Sequence, residues 1–365
     1  MAAYINIDKI AEYFRDIRGN IVLGIDGYID EIWQALESRS DIHAYKAMQT
    51  IKQFGERIIA CDEGGMAIEI ISKRRGYGGF TGNTSRAVSS LGLKPTVIGT
   101  YGKGTINPRF AEMEASCNLI SLGEPAVSHV FEFDNGKVMF PYVQAILEIN
   151  WAALTDVIGE QELCSILGGA DILGLGYWSS MPAFDEIVMN LCEKLEYKPK
   201  RLFFDFADVN KRDRYALEDT ISLLGNLNSR IPMTLSLNEH EADSLFTCFG
   251  QSFPTDARAA EKSLSEMRGR IGLDELIVHT PYFAGISSFE EGTAMVRQVY
   301  CEKPVKTTGA GDTFNGGYIA SSLGSLNAYE RLAVGNAATS CFIQTGSCAD
   351  RVRLIDEIKK QCRRT

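Results

Sequence analysis

The stretch KTTGAGDTFNGGYIASSLG, residues 306–324, decides how this chain is read. Gly309, Ala310 and Gly311 are small enough for backbone N–H groups to converge on an anion. From Phe314 onward the residues are small or apolar and can form a helix, which puts Asp312 at its N-cap or in its first turn. A helix N-terminus combines unbonded N–H groups with the positive end of the helix dipole, so it attracts negative charge. A phosphoryl group in transfer needs that stabilisation. A carboxylate at the same point can accept the proton of an attacking hydroxyl. Taken alone, these letters also describe an ordinary strand–loop–helix turn capped by an aspartate.

Around this segment, short β-branched runs alternate with amphipathic stretches. Strands are predicted at 20–26, 94–102, 170–178, 200–208, 233–239 and 274–281, and helices at 182–196, 255–271 and 312–324; residues 43–61 also have helical periodicity. Such alternation predicts an α/β fold with a mainly parallel sheet covered on both faces. Ligands of such sheets bind beyond the carboxyl ends of the strands. Two segments depart from the pattern. Residues 31–76 form a long excursion after the first strand. HVFEFDNGKVMF (129–140) alternates like a hairpin turning at Asp134-Asn135-Gly136 and serves either as a lid or as an edge of the main sheet. No Pro-, Gly- or Ser-rich linker interrupts the chain. A single domain over 1–365 is expected, with lid elements within 31–76 and 129–145.

The chain has 365 residues, 45% hydrophobic and 23% charged, enough to bury a large core. A formal charge of -10 argues against binding nucleic acid or an anionic membrane through bulk charge. Nine cysteines without C-x-x-C and four histidines without metal-ligand spacing argue against a zinc site or a disulfide framework. The N-terminal MAAYINIDKIAEYFRDIRGN reads as an amphipathic helix and not a secretory signal. No apolar run approaches the roughly 20 residues that span a bilayer. Together these features point to a cytoplasmic protein with a small-molecule substrate.

Four motifs, in order over residues 24–347, resemble the ribokinase-like (phosphofructokinase B type) carbohydrate kinases. Residues 306–324 resemble the family signature D-T-x-G-A-G-D followed by a helix with G-G. GGFTGNTSRAVSSLG (78–92) resembles G-G-x-x-x-N-x-x-x-A-x-x-x-L-G. SLNEHEA (236–242) matches N-x-x-E, and NAATSCFIQTGS (336–347) is similar to the closing helix and turn. The resemblance implies a ribokinase-like three-layer sandwich with a small β lid, and ATP-dependent phosphorylation of a hydroxyl on a sugar or related polyol. It makes Asp312 the general base and Gly309, Ala310 and Gly311 an anion hole. Asn238 and Glu241 are expected to organise Mg2+ and the nucleotide phosphates through water. Thr280, Gly285 and Asn336 are expected beside the nucleotide. Gly78, Gly79 and Asn83, with Asp30 or Asp26, are expected to hold the substrate. It also implies a homodimer joined through the lids. A nucleoside kinase on the same fold and a non-catalytic ligand-binding homologue stay open beside the sugar kinase.

The chain departs from the family pattern at named positions. Lys306 replaces the first aspartate of D-T-x-G-A-G-D, which in several members helps hold a monovalent cation; a lysine cannot ligate one, so activity independent of potassium is expected. Tyr282 replaces the first glycine of T-x-G-x-x-G, where nucleotide choice is affected. Phe80 stands where ribokinase often has lysine, which points to a different substrate. Lys73-Arg74-Arg75 read as a solvated basic run or as contacts to a phosphorylated substrate.

Overall fold

The computed structural model describes residues 4–61 and 63–363; Met1–Ala3 at the start of the expected N-terminal helix, Asp62 in the excursion and the last two residues lie outside them. Fourteen strands among the described residues are numbered in chain order. They are β1 Ile21–Gly24, β2 Tyr28–Arg39, β3 Tyr45–Ala47, β4 Ile70–Gly78, β5 Thr96–Gly99, β6 Asn118–Ser121, β7 Ala126–Phe133, β8 Gly136–Tyr142, β9 Ile172–Gly176, β10 Arg201–Asp205, β11 Met233–Asn238, β12 Glu275–His279, β13 Phe283–Ser288 and β14 Gly292–Arg297.

Nine of them form one sheet in the order β14-β13-β12-β11-β10-β9-β1-β5-β6. All neighbours from β6 to β12 run parallel, and β12, β13 and β14 continue antiparallel. The parallel strands are apolar runs because helices cover both faces. β1 (IVLG) and β9 (ILGLG) are buried along their whole length. Two large apolar clusters lie against the sheet. One contains Trp178, Phe184, Phe204 and Phe246, and the other Phe80, Phe203, Phe314 and Tyr318. The helices carry the expected end signals: Ala257–Ile271 starts at Asp256, whose side chain accepts from two backbone amides, and stops at Gly272 in the left-handed region.

The other five strands make a smaller mixed sheet in the order β3-β2-β7-β8, with β4 on β2. This is the α/β sandwich with a lid that the resemblance implied. The 129–140 hairpin belongs to this second sheet and not to an edge of the large one. Its loop is Asp134-Asn135, with Gly136 at positive φ. The excursion at 31–76 holds the rest of β2, all of β3, one helix and most of β4. Of the helical periodicity at 43–61, the helix takes only Ile51–Ile59, opened by a capping box at Thr50, while Tyr45–Ala47 pairs with β2. A helix also covers Ile7–Arg15 near the N-terminus. Among the described residues no helix is long and apolar enough to cross a membrane.

Candidate active site

The carboxyl ends of β1, β9, β10, β11 and β12 point to one edge of the large sheet, and the segment at 306–324 lies across it. Its helix, Ala310–Ser321, begins at Gly309, which has φ 86° and acts as N-cap without a side chain. Only glycine adopts that conformation cheaply, and a Cβ there would stand 3.0 Å from the Asn83 side chain. The amides of Gly309, Gly311 and Asp312 make no hydrogen bond among the described residues, whereas that of Ala310 donates to Thr307 O. Unbonded amides at a helix N-terminus suit an anion.

Asp312 sits in the first turn, buried. Asn83 Nδ2 donates to its Oδ2 at 2.9 Å, and the Tyr177 hydroxyl donates to both oxygens at 3.0 and 3.1 Å. Burial raises the carboxyl to about 6, against the donations from Asn83 and Tyr177 that lower it. Two sequence-distant elements therefore meet at one carboxylate. Close helix packing makes the meeting possible: a Cβ on Gly316 would lie 2.5 Å from the Ala87 methyl on the helix Gly79–Ser90, which carries Asn83.

The two early aspartates divide their work. Asp26 is 1% exposed, and its oxygens accept from the amides of Phe80 and Thr81 at 2.7 and 2.9 Å. It is the anchor for the start of helix Gly79–Ser90, and burial pushes it up to about 7. The carboxylate of Asp30, in contrast, has no hydrogen-bond donor among the described residues. Burial raises its carboxyl, opposed by Lys306, Lys137, Arg86 and Arg74. Gly78 and Gly79 let both carboxylates approach: a Cβ on Gly78 would lie 2.2 Å from Asp30 Oδ2, and one on Gly79 2.4 Å from Asp26 Oδ2. Arg86 bonds Asn83 Oδ1 at 2.9 Å, so the cationic side of the pocket is coupled to the Asn83–Asp312 pair.

Two cavities open beside this carboxylate and share Asn238, His240, His279, Thr307, Ala310 and Gly311 in their walls. One, of about 500 Å³, also has Tyr177, Asp205, Asp208, Glu241 and Asp312. Asn238 and Glu241 form a capping box on helix Glu239–Cys248, with Glu241 Oε2 accepting from Asn238 N at 2.9 Å. Burial, followed by the charge of Asp205, raises Glu241 well above the usual carboxylate range. Burial and then the charge of Asp312 raise Asp205 to about 8. Among the described residues no three His, Cys, Asp or Glu side chains form a metal cage. A loose, all-oxygen donor set under mutual repulsion fits Mg2+, which keeps its waters and leans on substrate phosphates.

The second cavity, of about 450 Å³, runs on past His279, Thr280, Tyr300, Phe314, Asn336 and Ile343. Thr280 Oγ1 holds the β12–β13 turn by accepting from the amides of Tyr282 and Phe283. Asn336 Nδ2 donates to Val296 O at 3.3 Å. Tyr282 is exposed and stacks on Tyr300, ring centroids 5.2 Å apart. Gly285 is not brought to this cavity. It lies mid-strand in β13, where a Cβ would come 2.5 Å from Met295 Sδ and 2.8 Å from Leu264. The glycine there serves close packing under helix Ala257–Ile271.

Phe80 is fully buried, edge-on to Tyr177 at 6.2 Å, so it is a core residue and reaches the pocket only through that tyrosine. Arg74 and Arg75 pair with Glu132 and Glu31 on the second sheet. The side chain of Lys306 lies with its Nζ 5.0 Å from the Phe342 ring centroid. Tyr177 and Asp205 were not among the residues singled out from sequence. Each ends or follows a strand, β9 and β10, and that position was the signal.

A family model described as prokaryotic ketohexokinase matches residues 6–359. The ketohexokinase of Haloferax volcanii is 28% identical over 335 residues, covering 90% of this chain and 88% of that relative. Among solved structures, phosphofructokinase-2 from Escherichia coli in complex with substrates and products matches with a TM-score of 0.65 at 16% identity, over 95% of this chain and 99% of that one. Arabidopsis thaliana ribokinase complexed with ribose and ATP matches with a TM-score of 0.65 at 15% identity, over 94% and 99%. At such identities the solved structures establish a shared fold.

Proposed function

This chain belongs to the prokaryotic ketohexokinase family of the ribokinase-like superfamily and is an ATP-dependent carbohydrate kinase; on that footing we propose that it moves the γ-phosphoryl group of ATP to a hydroxyl of a ketohexose, with Asp312 as general base. The observation that carries the reading is the Asp312 carboxylate itself. It is held by Asn83 and Tyr177 at the wall of a cavity and lies beside unbonded helix-terminal amides.

In this reading Asp30 and Asn83 take the sugar hydroxyls, since Asp30 has free acceptor capacity and Asn83 lies next to the base. Asp26 supports them from behind by fixing the helix that begins at Gly79. Asp312 removes the proton of the attacking hydroxyl as the oxygen approaches phosphorus. The amides of Gly309 and Gly311, with the helix dipole, stabilise the charge that builds on the phosphoryl oxygens. Asn238, Glu241 and Asp205 hold Mg2+ through water; the ion, when bound, neutralises phosphate charge. Thr280 and Asn336 flank the nucleotide. The whole chain works as one kinase domain in which the second sheet closes over the sugar and excludes water.

The test is ADP release measured against a panel of ketohexoses, aldoses, sugar phosphates and nucleosides, for the natural protein and for Asp312→Asn. A ketohexose is expected to be the preferred acceptor, and the variant is expected to fold normally and to lose about 10²–10⁴-fold in kcat. Full activity in the variant, or a nucleoside as preferred acceptor, overturns the assignment.

A further inference from the structure

His279 ends β12 and lies in the wall of both cavities. The four residues before it in the strand are buried, whereas His279 keeps part of its surface open. Its ring packs on Phe314, with centroids 4.7 Å apart and planes at 31°. The Cε1–Nε2 edge faces the start of helix Ala310–Ser321: a Cβ on Gly311 would lie 3.2 Å from Cε1 and 3.8 Å from Nε2. Neither ring nitrogen makes a hydrogen bond among the described residues, and neither is sealed away from the cavities. Burial lowers the ring to about 4, so at neutral pH the imidazole is uncharged and carries one N–H and one acceptor nitrogen.

What this edge can serve follows from its neighbours. Among the described residues in the walls of the two cavities there is no lysine or arginine, while Asp205, Asp208, Glu241 and Asp312 line the 500 Å³ one. A chain of phosphates running from one cavity into the other therefore depends on uncharged donors. The wall shared by both offers few. The Asn238 side chain is taken up by its capping box with Glu241, and the Ala310 amide by Thr307 O. The Gly311 amide is unbonded, and the His279 imidazole stands beside it. Fixed N–H groups converging on one point suit an anionic oxygen. A hydrocarbon ring would pack on Phe314 equally well, so packing alone does not call for nitrogens here.

We propose that His279 is a phosphate-binding residue for the nucleotide: its ring N–H joins the Gly311 amide in donating to the phosphate chain where the two cavities meet. The claim rests on the reading above, in which these cavities take the base and the phosphates of ATP. It gives His279 no part in holding the sugar or in taking its proton.

The experiment compares His279→Phe with the natural protein, both without sugar. It measures affinity for ADP with Mg2+ by calorimetry, and affinity for adenosine displaceable by ADP by ligand-observed NMR. Phenylalanine keeps a flat ring on Phe314 and removes both nitrogens. It is expected to weaken ADP about ten- to a hundredfold, as for a lost hydrogen bond to a charged group, and to leave adenosine within about twofold. Unchanged ADP affinity in the variant, or ADP and adenosine weakened by the same factor, overturns the proposal. A natural protein that binds ADP no more tightly than adenosine overturns both the proposal and the nucleotide reading beneath it. Binding without sugar reads the claim whichever acceptor the protein uses, so its failure is distinct from failure of the ketohexose assignment. If the variant does not fold, nitrogen NMR of the natural protein labelled at histidine decides it, with His279 assigned by substituting the other three histidines. ADP is expected to shift the His279 ring N–H resonance and adenosine to leave it in place; a resonance moved equally by both refutes the role.

Discussion

Burial pushes the Asp312 carboxyl up from the ordinary carboxylate range. Asn83 and Tyr177 donate to it and oppose that rise, leaving it at about 6, so the proposed base is mostly ionised at pH 7. Other charged or titratable groups around it are Asp26 and Asp30 from the start of the chain, Arg86 on the helix with Asn83, Asp205, Glu241, His279 beside Gly311, and Lys306. The sign for Tyr177 follows from its bond. Its O–H stabilises the ionised carboxylate, so its removal raises the pKa of the base. Tyr177→Phe is expected to move the acid limb of the kcat/KM profile for the sugar up by about 0.5–1 pH unit, with activity recovering toward the natural level at pH 8 to 9. A profile lowered equally at every pH would remove Tyr177 from this role. Asp312, Asn83, Asn238 and Glu241 were legible because they sit in local motifs with fixed spacing. Tyr177 and Asp205 were harder to see: each sits at or just after a strand end, but which strand ends converge is not encoded in any local pattern.

At the scale of elements, the contact between helix Ala310–Ser321 and helix Gly79–Ser90 sets the distance from Asp312 to Asn83. Gly316 is the point of closest approach, 2.5 Å from the Ala87 methyl and 2.8 Å from Thr84 O for an added Cβ. Gly316→Ala is expected to push the helices apart, destabilising the protein by about 1–3 kcal/mol and lowering kcat beyond what the stability loss explains. Thermal melts and kinetics on the same preparation check this, and a fully active, equally stable variant contradicts it. The β7–β8 hairpin reaches the same region, where Lys137 Nζ donates to Thr308 Oγ1 in the loop before helix Ala310–Ser321. The hairpin was readable from its alternation and its Asp134-Asn135-Gly136 turn. Its sheet was not, because β2 is a 12-residue strand of mixed polarity that runs into the segment read as an excursion. The helical periodicity at 43–61 was overridden in part by pairing of Tyr45–Ala47 with β2, a tertiary contact that periodicity alone cannot see.

For the molecule as a whole, the parallel sheet followed from apolar strands alternating with amphipathic helices, and its carboxyl edge gathers a set of buried acids. Asp26 and Asp205, raised by burial to about 7 and about 8, hold protons that the unfolded chain has already released at neutral pH. The native state then binds more protons than the unfolded one, so stability falls as pH rises through these values. His279, lowered by burial to about 4, works in the opposite sense, and its contribution is complete by about pH 6.5. The ligand-free thermal midpoint is therefore expected to drop between pH 6.5 and 8, and Asp205→Asn is expected to flatten that drop; a slope unchanged by the substitution would place the protons elsewhere. The most direct test of the whole account is phosphorus NMR of the protein incubated with Mg2+, ATP and a ketohexose. A sugar phosphomonoester resonance is predicted to grow in step with ADP and to be absent on the same timescale with Asp312→Asn. ADP accompanied only by inorganic phosphate, or a phosphomonoester formed as fast by the variant, would contradict it.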